Sequence, residues 1–350
     1  MGRRLRFGLI GSGSQGRYLS DALKMTGRAE LVACADINRE AAELARDWCG
    51  YDTAYTDTQR MLAQEDLDAV LVATTHDQLQ PNALAAVRAG KHVFVEKPMA
   101  LTAGDGRKLV RAARDAGVKL MVGYTLRFFA ARIRLKELLD SGAVGEVTHV
   151  IAGQALGSLS RGWLGERARG GGPLFFVGSH VIDQVLWVTG RRAERVFAEI
   201  NRNDPTEVEQ DALLTIRFEG GAVAQVCTSQ RLGVRYGWLD VLGSRGRLRA
   251  EWDSNVIHVE SRALDAYGYP TVIEIPPHSR LPQLAAGASV RIVACRDSPG
   301  WITELAEFVD AIEQNRAPSV TGEDGVRVLE IIDAAIESGA TGQLVALTAG

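Results

Sequence analysis

From Leu5 to about Tyr124 the hydrophobic positions fall in short continuous runs, LRFGLI, LVACAD, AVLVAT, HVFVEK and KLMVGY, most of them separated by longer amphipathic stretches of helical character. Continuous Val, Ile and Ala runs suit strands covered on both faces, and their alternation with helices predicts a parallel, doubly wound sheet. Beyond Tyr124 the period changes. A helix-like FFAARIRLKELLDSG is followed by strands that alternate apolar and polar positions, EVTHVIAGQ, ERVFAEIN, DALLTIRF and AVAQVCTSQ, the last two joined as a hairpin through EGG at 219–221. Successive strands after a βαβ half predict an α+β domain with a largely antiparallel sheet. Two helices, at about 301–315 and 323–338, close the chain. The pattern predicts an N-terminal α/β domain over 1–123 and a second domain over 124–350.

Composition agrees with two domains, since 350 residues exceed one ordinary core. A hydrophobic share of 46% with 24% charged residues describes a soluble globular protein, and no apolar run of about 18 residues spans a bilayer. The net charge of −3, with both signs mixed along the chain, supplies no basic stripe and argues against a nucleic-acid partner. Cysteines at 34, 49, 227 and 295 lack the spacing of a metal knuckle or redox pair, so they predict reduced core thiols and no metal. The paired arginines of MGRRLRFGLIGSG suggest an export signal, but glycines break the apolar segment behind them at once. We expect a first strand there and a cytoplasmic protein.

Chemistry enters with the turn after that strand. Gly11 permits a tight turn, Gly13 lets the backbone approach a pyrophosphate, and Gly16 lets helix and strand pack closely. Ser14 and Gln15 lie between them where the helix opens, and its amides supply positive potential. Asp36 closes the second strand twenty residues after Gly16, where a carboxylate accepts from an adenosine ribose. This predicts a Rossmann domain that binds NAD, because the carboxylate repels the extra phosphate of NADP. Arg39 leaves NADP open, as a partner for a 2′-phosphate or as a solvated charge in the first turn of a helix. Thr74 and Thr75 follow another strand and line the dinucleotide by backbone and hydroxyl. His76 either reaches the cofactor or is a solvated loop residue, and Asp77 reads as a helix cap. Glu96, Lys97 and Pro98 follow a buried strand at its carboxyl end, where open α/β sheets hold ligands, so an ammonium there faces nicotinamide and a substrate hydroxyl.

The glycine loop, AGKHVFVEKP, VGYTLRF, GGGPLFFVGSHVIDQVLWVTG and ELAEFVDAI occur in the order seen in the glucose–fructose oxidoreductase and myo-inositol dehydrogenase (Gfo/Idh/MocA) family, which the chain resembles over nearly its whole length. The resemblance implies a Rossmann domain joined to an α/β domain whose large, mainly antiparallel open sheet forms the subunit interface of a homodimer or homotetramer. It implies NAD(P)-dependent oxidation of a secondary alcohol of a sugar, cyclitol or related cyclic polyol, or the reverse reduction. Carried over by position, Lys97 and His180 become the catalytic candidates, meeting across the nicotinamide. Arg127 matches an arginine near nicotinamide and substrate, and Tyr124 begins the same element.

In that frame Gly170 to Gly172 let the chain pass close to a ligand, and a helix beginning after Gly178 holds His180 in its first turn. A helix amino terminus disfavours imidazolium, so His180 is expected neutral and able to take a hydroxyl proton while Lys97 stabilises the oxygen charge. Asp183, one turn on, contacts substrate or supports the helix. Arg161, Trp163 and Arg169 either engage a sugar or decorate an exposed loop. The chain departs from the family pattern at Phe176, where many members carry aspartate, and at Leu79, where histidine is common. Phe176 keeps two alternatives in play: a redox-neutral enzyme with bound NAD, or a dinucleotide-binding protein without turnover.

Overall fold

Each apolar run before Tyr124 becomes a strand: β1 (Leu5–Ile10), β2 (Ala29–Ala35), then β4 (Ala69–Val72), β5 (His92–Glu96) and β6 (Leu120–Gly123), with a short β3 (Thr53–Tyr55) added at the edge. The computed structural model describes residues 3–157, 162–201, 207–231, 235–251, 256–261, 270–274 and 299–347. The chain forms two compact units, one of residues 1–125 with 301–329, the other of 126–300 with 330–350.

In the first unit the six strands pair in parallel in the order β3-β2-β1-β4-β5-β6. Connecting them are α1 (Ser14–Met25), α2 (Arg39–Cys49), α3 (Thr58–Gln64), α4 (His76–Arg88) and α5 (Ala103–Asp115). Strand order reverses between β1 and β4, and the crevice beyond the carboxyl ends of such a pair is where open α/β sheets bind ligands. Each central strand is buried on both faces, which is why its sequence is continuously apolar. Cys34 and Cys49 share this core as free thiols, and burial pushes the first up to about 12 and the second to about 11.

The sequence pattern assigns all of 124–350 to the second domain, whereas residues 301–329 return to the first unit. Phe308 is the physical reason: it meets Phe7 and Phe94 edge-on, with ring centroids 6.2 and 5.9 Å apart. Arg28 adds ion pairs to Asp310 at 2.6 Å and Glu313 at 2.5 Å.

The second unit contains α6 (Ala130–Asp140), β7 (Val147–Ala155), α7 (Ser179–Thr189), β8 (Ala193–Asn201), β9 (Asp211–Phe218), β10 (Val223–Ser229), β11 (Tyr236–Gly243), β12 (Gly246–Glu251), β13 (Val256–Ser261) and β14 (Pro270–Glu274). Later in the chain come α8 (Pro299–Glu313) and α9 (Gly322–Thr341), which carry the residues 301–329 of the first unit, and then β15 (Val345–Ala346) of the second. Nine strands lie in the order β14-β13-β12-β11-β7-β10-β9-β8-β15, antiparallel at every pairing except β10 with β7. On one face α7 packs over β7 and β10, and α6 over β12 and β13. The other face leaves Ile151, Leu213 and Tyr236 exposed, at 39, 56 and 38%. No helix among the described residues is long and apolar enough to cross a membrane.

Candidate active site

In the first unit the chain leaves β1 through Gly11, whose φ of 93° and lack of a side chain let it pass the Ala73 carbonyl; a Cβ there would lie 2.4 Å from that oxygen. A Cβ on Gly16 would lie 2.1 Å from the Gly11 carbonyl, so helix and turn are in direct backbone contact. Gly13, by contrast, faces open space, with no atom within 4 Å of where its Cβ would stand. The amino end of α1, at Ser14, has no side-chain cap, so its first amides are available to an anion. Asp36 braces the turn from the end of β2: its carboxylate accepts from Ser12 N at 2.8 Å and Asn38 N at 2.9 Å. Each oxygen retains capacity for a further donor. These residues fit a dinucleotide, with the open strip at Gly13 to Gln15 for the phosphates and Asp36 for a ribose. Arg39 is exposed and reaches toward Glu43, at 3.8 Å.

Thr74 and Thr75 follow β4 half-buried, and Thr75 occupies the cap position of α4 without a side-chain bond. Asp77 is therefore a first-turn acid and not the cap. His76, for which a solvated position was one expectation, is only 4% exposed, and Leu79 is core. Glu96 ends β5 with one carboxylate oxygen 2.7 Å from Gln15 Nε2 and the other 3.1 Å from Lys97 N. Lys97 itself is 9% exposed and joined to Pro98 by a cis peptide bond. Burial lowers its pKa to about 8 against the opposing pull of Glu96, while burial raises Glu96. Gln15, Glu96 and Lys97 are thus brought together. Tyr124 is wholly buried, and the next residue, Thr125, donates to Glu304 at 2.7 Å.

In the second unit α7, which carries His180, begins at Ser179 as expected, but it is not a free helix start. Residues Leu174–Gly178 form a π turn that runs without a break into α7, with Gly178 and Ser179 both right-handed helical. His180 consequently lies in the second turn of a composite helix whose first amide is that of Leu174, six residues before it, rather than in the expected first turn. From 171 to 186 only Phe176 and His180 are not buried. They share one half-buried face, four residues apart.

Arg127 and Asp183 meet each other. The guanidinium donates from Nε at 2.9 Å and from Nη2 at 2.5 Å, in a pair only 8 and 1% exposed, and stands 5.9 Å from the ring centre of Trp187. This geometry is that of a support for the helix. A second arginine, Arg132, donates to Gln184 on the next position at 2.6 Å.

The triple glycine has an explanation within the protein itself. A Cβ on Gly171 would lie 2.5 Å from the ring of Phe175, and one on Gly172 (φ 94°) would lie 2.9 and 3.0 Å from the carboxylate oxygens of Glu209. Trp163 lies half-buried on the 3₁₀ turn Gly162–Gly165, Arg169 is exposed beside Glu166, and Arg161 falls outside the described residues. Sequence reasoning missed Arg132 and Glu209, whose partners lie far away along the chain.

A family model described as an oxidoreductase family with an NAD-binding Rossmann fold matches residues 5–124, and the GFO/IDH/MocA C-terminal domain model matches 133–249. The chain is 30% identical to 1,5-anhydro-D-fructose reductase of Ensifer adhaerens over 99% of both proteins. It is 27% identical to myo-inositol 2-dehydrogenase of Thermotoga maritima over 93% of each. Among solved structures, an oxidoreductase domain protein from Kribbella flavida superposes with a TM-score of 0.92 at 23% identity, covering 99% of this chain and 100% of that one. Levoglucosan dehydrogenase in complex with NADH and levoglucosan superposes with a TM-score of 0.88 at 23% identity, over 98 and 99%. At that identity the likeness speaks for the fold.

Proposed function

The chain belongs to the GFO/IDH/MocA family of NAD-binding oxidoreductases, and on that premise we propose that it oxidises a secondary alcohol of a sugar, cyclitol or related cyclic polyol, or reduces the corresponding ketone. Bound NAD supplies the hydride acceptor; Gly11, Gly13, Ser14, Gln15 and Gly16 hold its phosphates, Asp36 its ribose, and Thr74, Thr75 and Glu96 its remaining length. NAD is favoured over NADP because the Asp36 carboxylate at the end of β2, offered to a ribose, would repel a 2′-phosphate.

The observation that carries the proposal is Lys97. Burying an ammonium is costly, and a lysine brought down to about 8 at the carboxyl end of β5 is suited to donate to an oxygen that gains negative charge. His180, half-buried on the same helix face as Phe176, accepts the hydroxyl proton during oxidation and returns it during reduction. Arg127 and Asp183 hold that helix and do not react. Phe176 offers the substrate an apolar surface beside His180 and no second carboxyl group, which suits a ring face carrying C–H rather than O–H groups. The test is a panel of polyols and keto sugars read by nicotinamide absorbance, with Lys97→Ala as control. Turnover by the parent and its loss in Lys97→Ala is the expected result; no turnover of the panel at any pH would refute the proposal.

Phe176 gives a second reading its one support, that of a dinucleotide-binding protein without turnover or with a redox-neutral reaction. Activity appearing only in Phe176→Asp favours the non-turnover form. Product formed without net change in bound NAD favours the redox-neutral one. We also propose a homodimer or homotetramer assembled through the sheet face that exposes Ile151, Leu213 and Tyr236, and a cytoplasmic location, which free buried thiols suit.

A further inference from the structure

Glu209 precedes β9 and is 1% exposed, yet it belongs to no motif in the sequence. One carboxylate oxygen accepts from Leu174 N at 2.7 Å, the first amide of the composite helix that carries His180. The other accepts from Arg167 Nη2 at 3.1 Å, and Arg167 donates again from Nε to the Glu207 carbonyl at 3.1 Å. Gln230 Nε2 fixes the backbone behind it, 2.9 Å from the Glu209 carbonyl. Gly172 bends around the carboxylate with its φ of 94°, and no side chain fits there.

The chemistry of these contacts is specific. The first amides of a helix have no partner within it, and a carboxylate satisfies both their hydrogen bonds and the positive end of the dipole. A π turn accommodates one residue more than an α turn, so its alternative is a one-residue slip of the chain at its start. An anchor at Leu174 excludes that slip. His180 lies six residues later, about 9 Å along the axis at 1.5 Å per residue.

We propose that Glu209 is the positioning residue of the proposed active site: its carboxylate fixes the start of the His180 helix and, through Arg167, ties the Trp163 loop to that same point. The inference rests on the reading of His180 as the proton acceptor. Glu209→Gln keeps an acceptor for Leu174 N while weakening the hold on Arg167; Glu209→Ala removes both. A displacement of a reacting group by about 1 Å costs on the order of 100-fold in rate.

The test compares Glu209→Ala, Glu209→Gln, Arg167→Met and His180→Ala in the full chain, using the best substrate of the panel with NAD and NADH affinity measured separately. We expect Glu209→Ala to lose at least tenfold in kcat per active site with NADH affinity unchanged. Glu209→Gln and Arg167→Met should keep kcat within about threefold and raise KM. Ring-proton NMR, with the His180 signal identified by its loss in His180→Ala, should show that signal moved or split in Glu209→Ala and unmoved in Glu209→Gln. A purely structural role would reduce the amount of folded protein and leave KM and the His180 signal as in the parent, which overturns the proposal. If Glu209→Ala does not fold, unchanged KM in both Glu209→Gln and Arg167→Met overturns it. Parental turnover in His180→Ala defeats the proposed function instead, and NMR still judges the anchor.

Discussion

Lys97 imposes a cost on stability that depends on pH in a direction opposite to an ordinary ion pair. Burial lowers its pKa from 10.5 to about 8 in the folded chain, while an unfolded lysine titrates at about 10.4. Between those values the unfolded chain carries a proton that the folded chain has released, so unfolding takes up protons and stability rises with pH. Below about 8 both states are protonated and the full lowering from about 10.4 acts against folding, ~3 kcal/mol at about 1.4 kcal/mol for each tenfold in the equilibrium. Lys97→Met removes the charge and keeps the length of the side chain. Urea unfolding of parent and variant in steps from pH 7 to pH 10 isolates this group, because all lysines and tyrosines common to both cancel in the difference. The parent is expected to gain about 2 to 3 kcal/mol on the variant over that range. The variant also removes the ammonium from Glu96; a further rise of that carboxyl would weaken the variant as pH climbs, in the same direction. A difference that stays flat, or moves against the parent, would refute the burial argument and with it the case for a tuned lysine.

The same lysine predicts that kcat/KM for oxidation, once corrected for His180, falls above about pH 8 as the ammonium is lost, in a pH–rate profile absent from Lys97→Arg. Asp36→Ala should lower the preference for NAD over NADP by about tenfold or more, measured as the ratio of kcat/KM values; an unchanged ratio would remove Asp36 from ribose recognition. Arg127→Met leaves Asp183 as a buried charge without its guanidinium and should cost about 3–5 kcal/mol in urea unfolding, most of it recovered in Arg127→Met with Asp183→Leu.

The dinucleotide half was legible because its signals are local. Strands buried on both faces write themselves as apolar runs, and the Gly11 to Gly16 turn needs only neighbouring residues to be understood. The three-residue β3 is too short to leave a period, and the glycines of β11 and the glycine and arginines of β12 blur theirs. What escaped was long-range. The start of the His180 helix is set by a carboxylate thirty-five positions downstream, at Glu209, so no cap appears in the sequence around Leu174. Arg127 and Asp183 each drew attention separately, but their mutual pairing is a property of the folded unit. The glycines at 170–172 signal close approach in the sequence, but the neighbours they approach, among them Phe175 and Glu209, show only in the fold.

Cys34 and Cys49 turn the inner sheet into its own clock. Their thiols, held at about 12 and about 11, react with an alkylating reagent at neutral pH only when the surrounding strands and helices part. The labelling rate at these two positions, read by peptide mapping of the intact chain, therefore counts openings of the Rossmann layer, and dinucleotide bound to that layer should slow it in proportion to its occupancy.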